Sequence, residues 1–295
     1  MEKRTKSYFR LIKPGITLSN VMAGFAGFML ALSVVKPSLA EPNTYLVFVG
    51  ALGGMALIIA SACVFNNILD RKMDARMKRT VGRDVANGKI SVPAAVIYGT
   101  ILGLAGFLAL GLLTNLLTLI LGAIAYIWYV LIYDYSKRTT AYSTLIGGVA
   151  GSLPPVAGYT AMTGSIDMAA VSLFLILYLW QLPHFYAISI FRKQDYAEAK
   201  VPVWSIVYGD ESAKRQIFIT VVLYAISAAL LFAFGYAGWV YLAASSALSI
   251  YWIYRGIKLY KKADPVKWSR SMFGISLLVL MAMSLVIIPA GGFLV

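Results

Sequence analysis

Residues 90–133 read ISVPAAVIYGTILGLAGFLALGLLTNLLTLILGAIAYIWYVLIY, without one charged side chain. A helix that crosses a bilayer needs roughly 20 apolar residues. This run therefore holds two, with a natural break between Gly111 and Asn115. Outward from it, the windows 14–35, 42–69, 139–166, 168–191, 216–254 and 271–295 are equally free of Asp, Glu, Lys and Arg. The window 216–254 is also long enough for two helices, turning at Gly235-Tyr236-Ala237-Gly238. The expectation is an all-α polytopic membrane protein with nine transmembrane helices. Composition agrees: 60% of the 295 residues are hydrophobic and 13% charged, against about 25% charged in a soluble domain. That leaves too little polar surface to coat a soluble globule.

Loop charges orient the bundle. Nine spans leave 1–13, 70–89, 134–138, 192–215 and 255–270 on the side of the N-terminus. These segments carry 25 of the 26 basic residues, all but Lys36, and every acidic residue except Glu41 and Asp167. The N-terminus is expected in the cytoplasm and the C-terminus outside. The net charge of +14 follows from this topology and calls for no nucleic acid. No cleavable signal or transit peptide is legible, so a bacterial plasma (inner) membrane is the expected location. Cys63 is the single cysteine, which excludes an internal disulfide. The whole chain, 1–295, is expected to form one membrane-embedded domain. Its two long cytoplasmic loops, 70–89 and 192–215, follow the second and sixth helices. Without an extramembrane domain, chemistry falls to the cytoplasmic helix ends or the bundle interior.

The strongest local signal is Asn66-Asn67-Ile68-Leu69-Asp70-Arg71-Lys72-Met73-Asp74. Asn66, Asp70 and Asp74 share one helical stripe, each about 6 Å further along the axis. Two carboxylates and an amide oxygen suit a hard divalent cation, and Mg²⁺ takes a few carboxylates plus phosphate oxygens. Arg71, Lys72, Arg76, Lys78, Arg79 and Arg83 would complete a diphosphate site. A second acidic segment, Asp195-Tyr196-Ala197-Glu198-Ala199-Lys200-Val201-Pro202, follows the sixth helix. Between the fourth and fifth helices, Tyr133-Asp134-Tyr135-Ser136-Lys137 reads either as a phosphate-binding turn or as an ordinary basic loop with interfacial aromatics. His184, the lone histidine, lies roughly 10 Å inside its window. Such a residue is either a ligand or a core histidine bonded to a carbonyl freed by Pro183.

Taken together, the Asn66/Asp70/Asp74 stripe, Tyr133 with Lys137, and the acidic loop after the sixth helix resemble the UbiA superfamily of intramembrane prenyltransferases. Further segments extend the resemblance over essentially the whole chain: Leu11-Ile12-Lys13-Pro14-Gly15-Ile16, Ser61-Ala62-Cys63-Val64-Phe65, Met77-Lys78-Arg79-Thr80, Gly88-Lys89-Ile90-Ser91, and Gly151-Ser152-Leu153-Pro154-Pro155. Trp180-Gln181-Leu182-Pro183-His184-Phe185-Tyr186, with Asp195-Tyr196 and Val201-Pro202, is similar to the branch that farnesylates heme.

The resemblance implies a nine-helix bundle that holds Mg²⁺ and an isoprenyl diphosphate between two acidic sites. It implies conversion of heme b to heme O: farnesyl moves from farnesyl diphosphate to a heme vinyl group, and water adds to give a hydroxyethylfarnesyl chain. Asn66, Asp70, Asp74, Tyr133 and Lys137 take catalytic roles in that picture. Asn66, Asp70, Asp74 and Asp195 bind metal. Arg71, Lys78, Arg79, Arg83, Lys137, Arg192, Lys193 and Lys200 bind diphosphate, and His184 contacts heme. Phe65, Tyr129, Tyr133 and Tyr186 are candidates to face the farnesyl cation. Partners are heme b, farnesyl diphosphate and the bilayer, with a heme-modifying enzyme or terminal oxidase assembly downstream. One departure stands out. Superfamily members often carry a second aspartate four residues after the first in the later site, where this chain has Ala199. Gly147, Gly148, Gly151 and Gly158 with Pro154-Pro155 either open space in the fifth helix or allow close packing. Two rivals are weighed: a sister enzyme acting on an aromatic or quinone precursor, and a transporter. Transporters keep their binding residues near the bilayer midplane, whereas here the ionisable residues gather at one edge.

Overall fold

A computed structural model of the chain describes residues 2–37, 42–260 and 263–290. Residues 38–41 of the expected external loop, Lys261 and Lys262, and 291–295 of the last window lie outside them. Among the described residues all regular structure is helical. A short helix, α1 (Glu2–Leu11), precedes α2 (Pro14–Val35), α3 (Pro42–Asp74) and α4 (Val92–Leu113). Next, α5 (Leu116–Ile127) runs through a π-helical stretch, Trp128–Tyr133, into α6 (Asp134–Thr139). The fifth span is broken into α7 (Ser143–Gly151) and α8 (Leu153–Thr163). Then come α9 (Met168–Phe191), two short helices α10 (Lys193–Glu198) and α11 (Trp204–Val207), α12 (Asp210–Ala233), α13 (Trp239–Tyr260) and α14 (Pro265–Ala290).

Seven of these, counting α5–α6 as one, are long and apolar enough to cross a membrane. The 22-residue α13 and the α7–α8 pair stand where the remaining two spans were expected. Both expected breaks occur. Asn115 ends the first, its Oδ1 accepting the Thr118 N–H at 3.0 Å and its Nδ2 donating to the Thr160 carbonyl at 2.7 Å. Gly235, at φ 78°, turns the second. The chain departs from its charge pattern at α3, which continues helical to Asp74, so that the first long loop begins at 75 rather than 70.

Pro154 and Pro155 lack N–H groups, which interrupts the helix at Ser152 and strands carbonyls in an apolar setting. At the break the Ser152 N–H turns to the Val149 carbonyl at 3.2 Å, and side chains take up the Gly148 carbonyl it leaves. The Gly148 carbonyl accepts from Ser152 Oγ at 2.6 Å and from Gln181 Nε2 at 2.9 Å. The glycines here serve contact rather than open space. A Cβ on Gly158 would stand 1.9 Å from the Gly24 carbonyl oxygen, and one on Gly27 2.0 Å from that of Pro155. The backbones of α2 and α8 therefore touch. The main core gathers α2, α8, α9, α12, α13 and α14 around Tyr159, Tyr186, Tyr224, Trp252 and Trp268.

Candidate active site

The last turns of α3 point their polar stripe inward. Asn66, Asp70 and Asp74 are 4%, 4% and 2% exposed. Buried carboxylates require partners, and cations from two other segments supply them. Lys137 Nζ lies 2.6 Å from Asp70 Oδ1 and also meets Asp134. Arg138 Nη2 reaches Asp70 Oδ1 at 3.1 Å and Asp134 Oδ2 at 2.9 Å. Arg83 Nη1 holds both oxygens of Asp74, at 2.9 and 2.8 Å. Asn66 bridges two parts of the cluster: its Nδ2 donates to Asp134 Oδ1 at 3.0 Å, and its Oδ1 accepts from Lys13. Burial holds the Lys13 ammonium down to about 8. Three carboxylates thus sit among four cations.

The π-helical stretch explains how one span delivers so many of these groups. Wider winding lets residues four apart stay on one line, and π-bulges often mark functional sites. Tyr129 and Tyr133 stack with ring centroids 5.4 Å apart, and Lys137 Nζ lies 5.5 Å from the Tyr133 centroid. Gly147 makes room, since a Cβ there would stand 2.5 Å from the Tyr133 ring. Phe65 packs edge-on to Tyr126 at 6.4 Å. Tyr186 instead packs on Trp204, 5.7 Å away.

Sequence reading missed Asp134, Arg138 and Lys13. The first two carried a signal, an i, i+4 ion pair beside Lys137 at the end of an apolar span. Lys13 was named only within the Leu11–Ile16 segment of the resemblance, with no role attached. Of the expected diphosphate ligands, Arg83 and Lys137 lie in the network, whereas Arg79 is exposed beside Tyr196. Arg71 instead donates to the Ile68 carbonyl of its own helix at 2.9 Å. Lys78 sits at the surface, 3.9 Å from Glu198, and Lys193 is drawn to Asp210 at 2.9 Å. Lys200 is exposed, with φ 57°.

The second acidic segment packs its loop onto the extension of α3. Met77, Ala199, Val201 and Val203 form a small buried cluster with Met73 and Tyr196 against it. Burial pushes the Tyr196 phenol up, while nearby Arg79 pulls it back. Asp195 Oδ2 is buried without a hydrogen-bond partner, and its nearest cation is Arg192 Nη1 at 3.6 Å. Among the described residues no three His, Cys, Asp or Glu side chains converge as a ready metal cage. The donors present are nonetheless oxygen only: the stripe's carboxylates and the orphaned Asp195 oxygen. A hard cation that completes its shell with phosphate oxygens needs no more than one or two protein carboxylates.

His184 belongs to a different place, the seam between α9 and α14. Its Nδ1 lies 2.7 Å from Ser276 Oγ, not on a carbonyl freed by Pro183. The Ser276 hydroxyl has one proton, donated to the Phe273 carbonyl at 2.6 Å. Nδ1 is therefore the donor and Nε2 carries the lone pair. Trp180 stacks on the imidazole at 5.1 Å and Phe273 leans on it at 4.6 Å. Trp180 also lines an apolar pocket with Ala23, Ala26, Tyr224, Leu280 and Met283.

Comparison with known proteins agrees with this geometry. The model of the UbiA prenyltransferase family matches residues 20–285. The protoheme IX farnesyltransferase of Escherichia coli (strain K12) is 41% identical over 280 residues, covering 95% of this chain and 92% of that protein. The protein of the same name from Salmonella arizonae is 41% identical over 281 residues, with 95% and 93% covered. Among solved structures, a digeranylgeranylglyceryl phosphate synthase superposes with a TM-score of 0.76 at 23% identity, over 98% of this chain and 99% of that one. A UbiA homologue from Archaeoglobus fulgidus bound to GPP and Mg²⁺ superposes at 0.70 and 18% identity, with 96% and 100% covered. With the family's model running from within α2 to within α14 and the buried acidic stripe at the end of α3, the chain belongs to the UbiA prenyltransferase family and is a multi-pass membrane prenyltransferase.

Proposed function

We propose that the protein transfers farnesyl from farnesyl diphosphate to a vinyl group of heme b, giving heme O, in a Mg²⁺-dependent reaction. The relatives that are 41% identical are named for that substrate pair. The observation that carries the heme assignment is His184, whose Nε2 lone pair is held in an aromatic sleeve beside an apolar pocket. A histidine whose other nitrogen is fixed by a hydrogen bond is the arrangement of a metal ligand, and heme iron commonly takes one.

Asp70, Asp74, Asn66 and Asp195 would hold Mg²⁺, whose charge neutralises the departing diphosphate. Lys137, Arg138, Arg83 and Arg79 add positive charge around the same leaving group as the allylic C–O bond breaks. Tyr129 and Tyr133 present π-faces toward a farnesyl cation formed beside them. The vinyl carbon supplies the electron pair for the new C–C bond. Water adds to the resulting porphyrin-stabilised cation and loses a proton, leaving the hydroxyethylfarnesyl chain. The apolar bundle keeps other water from the cation before that step. The loops after α3 and α9 form the rim of this site. The basic end of the bundle faces the cytoplasm of a bacterium, and the C-terminus lies outside.

Detergent-solubilised protein incubated with heme b, farnesyl diphosphate and Mg²⁺ should yield farnesylated heme by mass spectrometry; folded protein that yields none overturns the assignment. His184→Ala should abolish the Soret shift on adding heme b. It should also raise KM for heme about tenfold or more, the weight of one lost coordinate bond or charge-assisted contact, and leave KM for farnesyl diphosphate unchanged. An enzyme acting on a quinone precursor would show neither heme effect.

A further inference from the structure

One-sided topology accounts for basic residues at a membrane edge. It does not account for Lys13, whose ammonium turns inward onto Asn66 of α3. Lys13 also adopts φ 47°, ψ 69°. This left-handed conformation is unfavourable for a residue with a Cβ, and it sits in front of Pro14, which restricts it further.

Neighbouring contacts hold the turn in place. Asn67 Nδ2 donates to the Leu11 carbonyl at 3.0 Å, and Thr17 Oγ1 donates to that of Ile12 at 2.7 Å. Arg10 grips buried Asp84 through two bonds of 3.0 Å, tying α1 to the loop after α3. Leu11 is buried against Val64, Ile68 and Val85. Strain maintained by so many contacts marks a side chain whose position matters.

The charge balance says what the position is for. Arg83 is matched to Asp74, and Lys137 and Arg138 share Asp70 and Asp134. Lys13 is the cation of the cluster whose partner is a neutral amide. An ammonium has three protons, and Asn66 takes one. The surplus charge faces the same stripe on which the proposed function places the leaving group. We propose that Lys13 is a diphosphate-positioning residue: the strained α1–α2 turn holds its ammonium over Asn66, where it binds an oxygen of the isoprenyl diphosphate. This rests on the diphosphate site proposed above, not on heme as acceptor.

The test uses the full-length protein in detergent and inorganic pyrophosphate with Mg²⁺ as the probe, read by thermal protection, so that no acceptor is needed. Lys13→Asn removes the charge while suiting the left-handed turn, and Lys13→Gly does the same with less side chain. Both should melt at or above the wild-type temperature without ligand. Both should bind pyrophosphate about 10–100-fold more weakly, the loss expected for one charge-assisted hydrogen bond. Lys13→Arg should recover most of that affinity. In turnover, KM for farnesyl diphosphate should rise and KM for heme b stay put. Wild-type pyrophosphate affinity in either folded variant overturns the proposal, as does a change confined to KM for heme. Failure of the wild-type protein to farnesylate heme, with the pyrophosphate losses intact, would instead remove only the acceptor assignment.

Discussion

The two acidic segments look like a repeated pair in sequence and are built differently. At the end of α3 three polar residues four apart ride one unbroken helix, buried and matched by cations from α6, the following loop and the α1–α2 turn. After α9 the helix stops at Arg192 and a six-residue helix, α10, begins. Of its two acidic side chains, Asp195 is the one with a buried oxygen. Glu198 faces Lys78 at the surface, and Ala199 is buried in the cluster that seals the loop to α3. Position 199 faces that apolar cluster, where a carboxylate would find no partner. The first segment concentrates the paired charges, and the second offers one unpartnered oxygen while packing its loop onto the end of α3.

That asymmetry can be broken experimentally. Asp70→Asn should cost the most, about 10²–10³ in kcat, the scale of losing one preorganised electrostatic contact to the leaving group. A stopped-flow or mass-spectrometric turnover assay reads it, and near wild-type activity would show the α3 stripe to be structural. Asp195→Asn should cost about tenfold, or ~1.4 kcal/mol of transition-state stabilisation, read as the Mg²⁺ concentration for half-maximal rate. A loss equal to that of Asp70→Asn would make the two sites equivalent. Ala199→Asp should have the smallest effect on turnover per folded molecule and no gain in Mg²⁺ affinity. It should instead lower stability by ~3 kcal/mol, because a carboxylate would enter an apolar cluster without a partner. A gain in metal affinity would mean that the loop after α9 repacks to form a second full site.

Much of the architecture is legible in the sequence. Charge-free windows locate helices because a spanning segment buries every residue in hydrocarbon or protein, and the breaks at Asn115 and Gly235 use capping and left-handed geometry that composition reveals. The end of α3 was less legible. Arg71, Lys72 and Asp74 read as loop by charge alone, yet cations from elsewhere neutralise the stripe and let the helix continue. The site was half legible for the same reason. Asp70 and Asp74 announce themselves by local spacing. Asp134, Arg138 and Lys13 matter through contacts 53 to 68 residues away in sequence, which no local pattern encodes. Arg71 and Lys193 were the reverse case, basic residues in the right segment whose side chains found nearer partners.

Sequence by itself determined the number of hydrophobic segments, their breaks, the edge at which charge collects and the stripe that begins the site, since each depends on a residue's own solvation or on neighbours within a few turns. Tertiary structure alone decided which charges meet. The π-helical stretch aims Lys137, the strained turn before Pro14 aims Lys13, and the packed turn after α10 withholds position 199. Pairing buried charges is a matter of distances across the bundle, and those are set by how the helices pack.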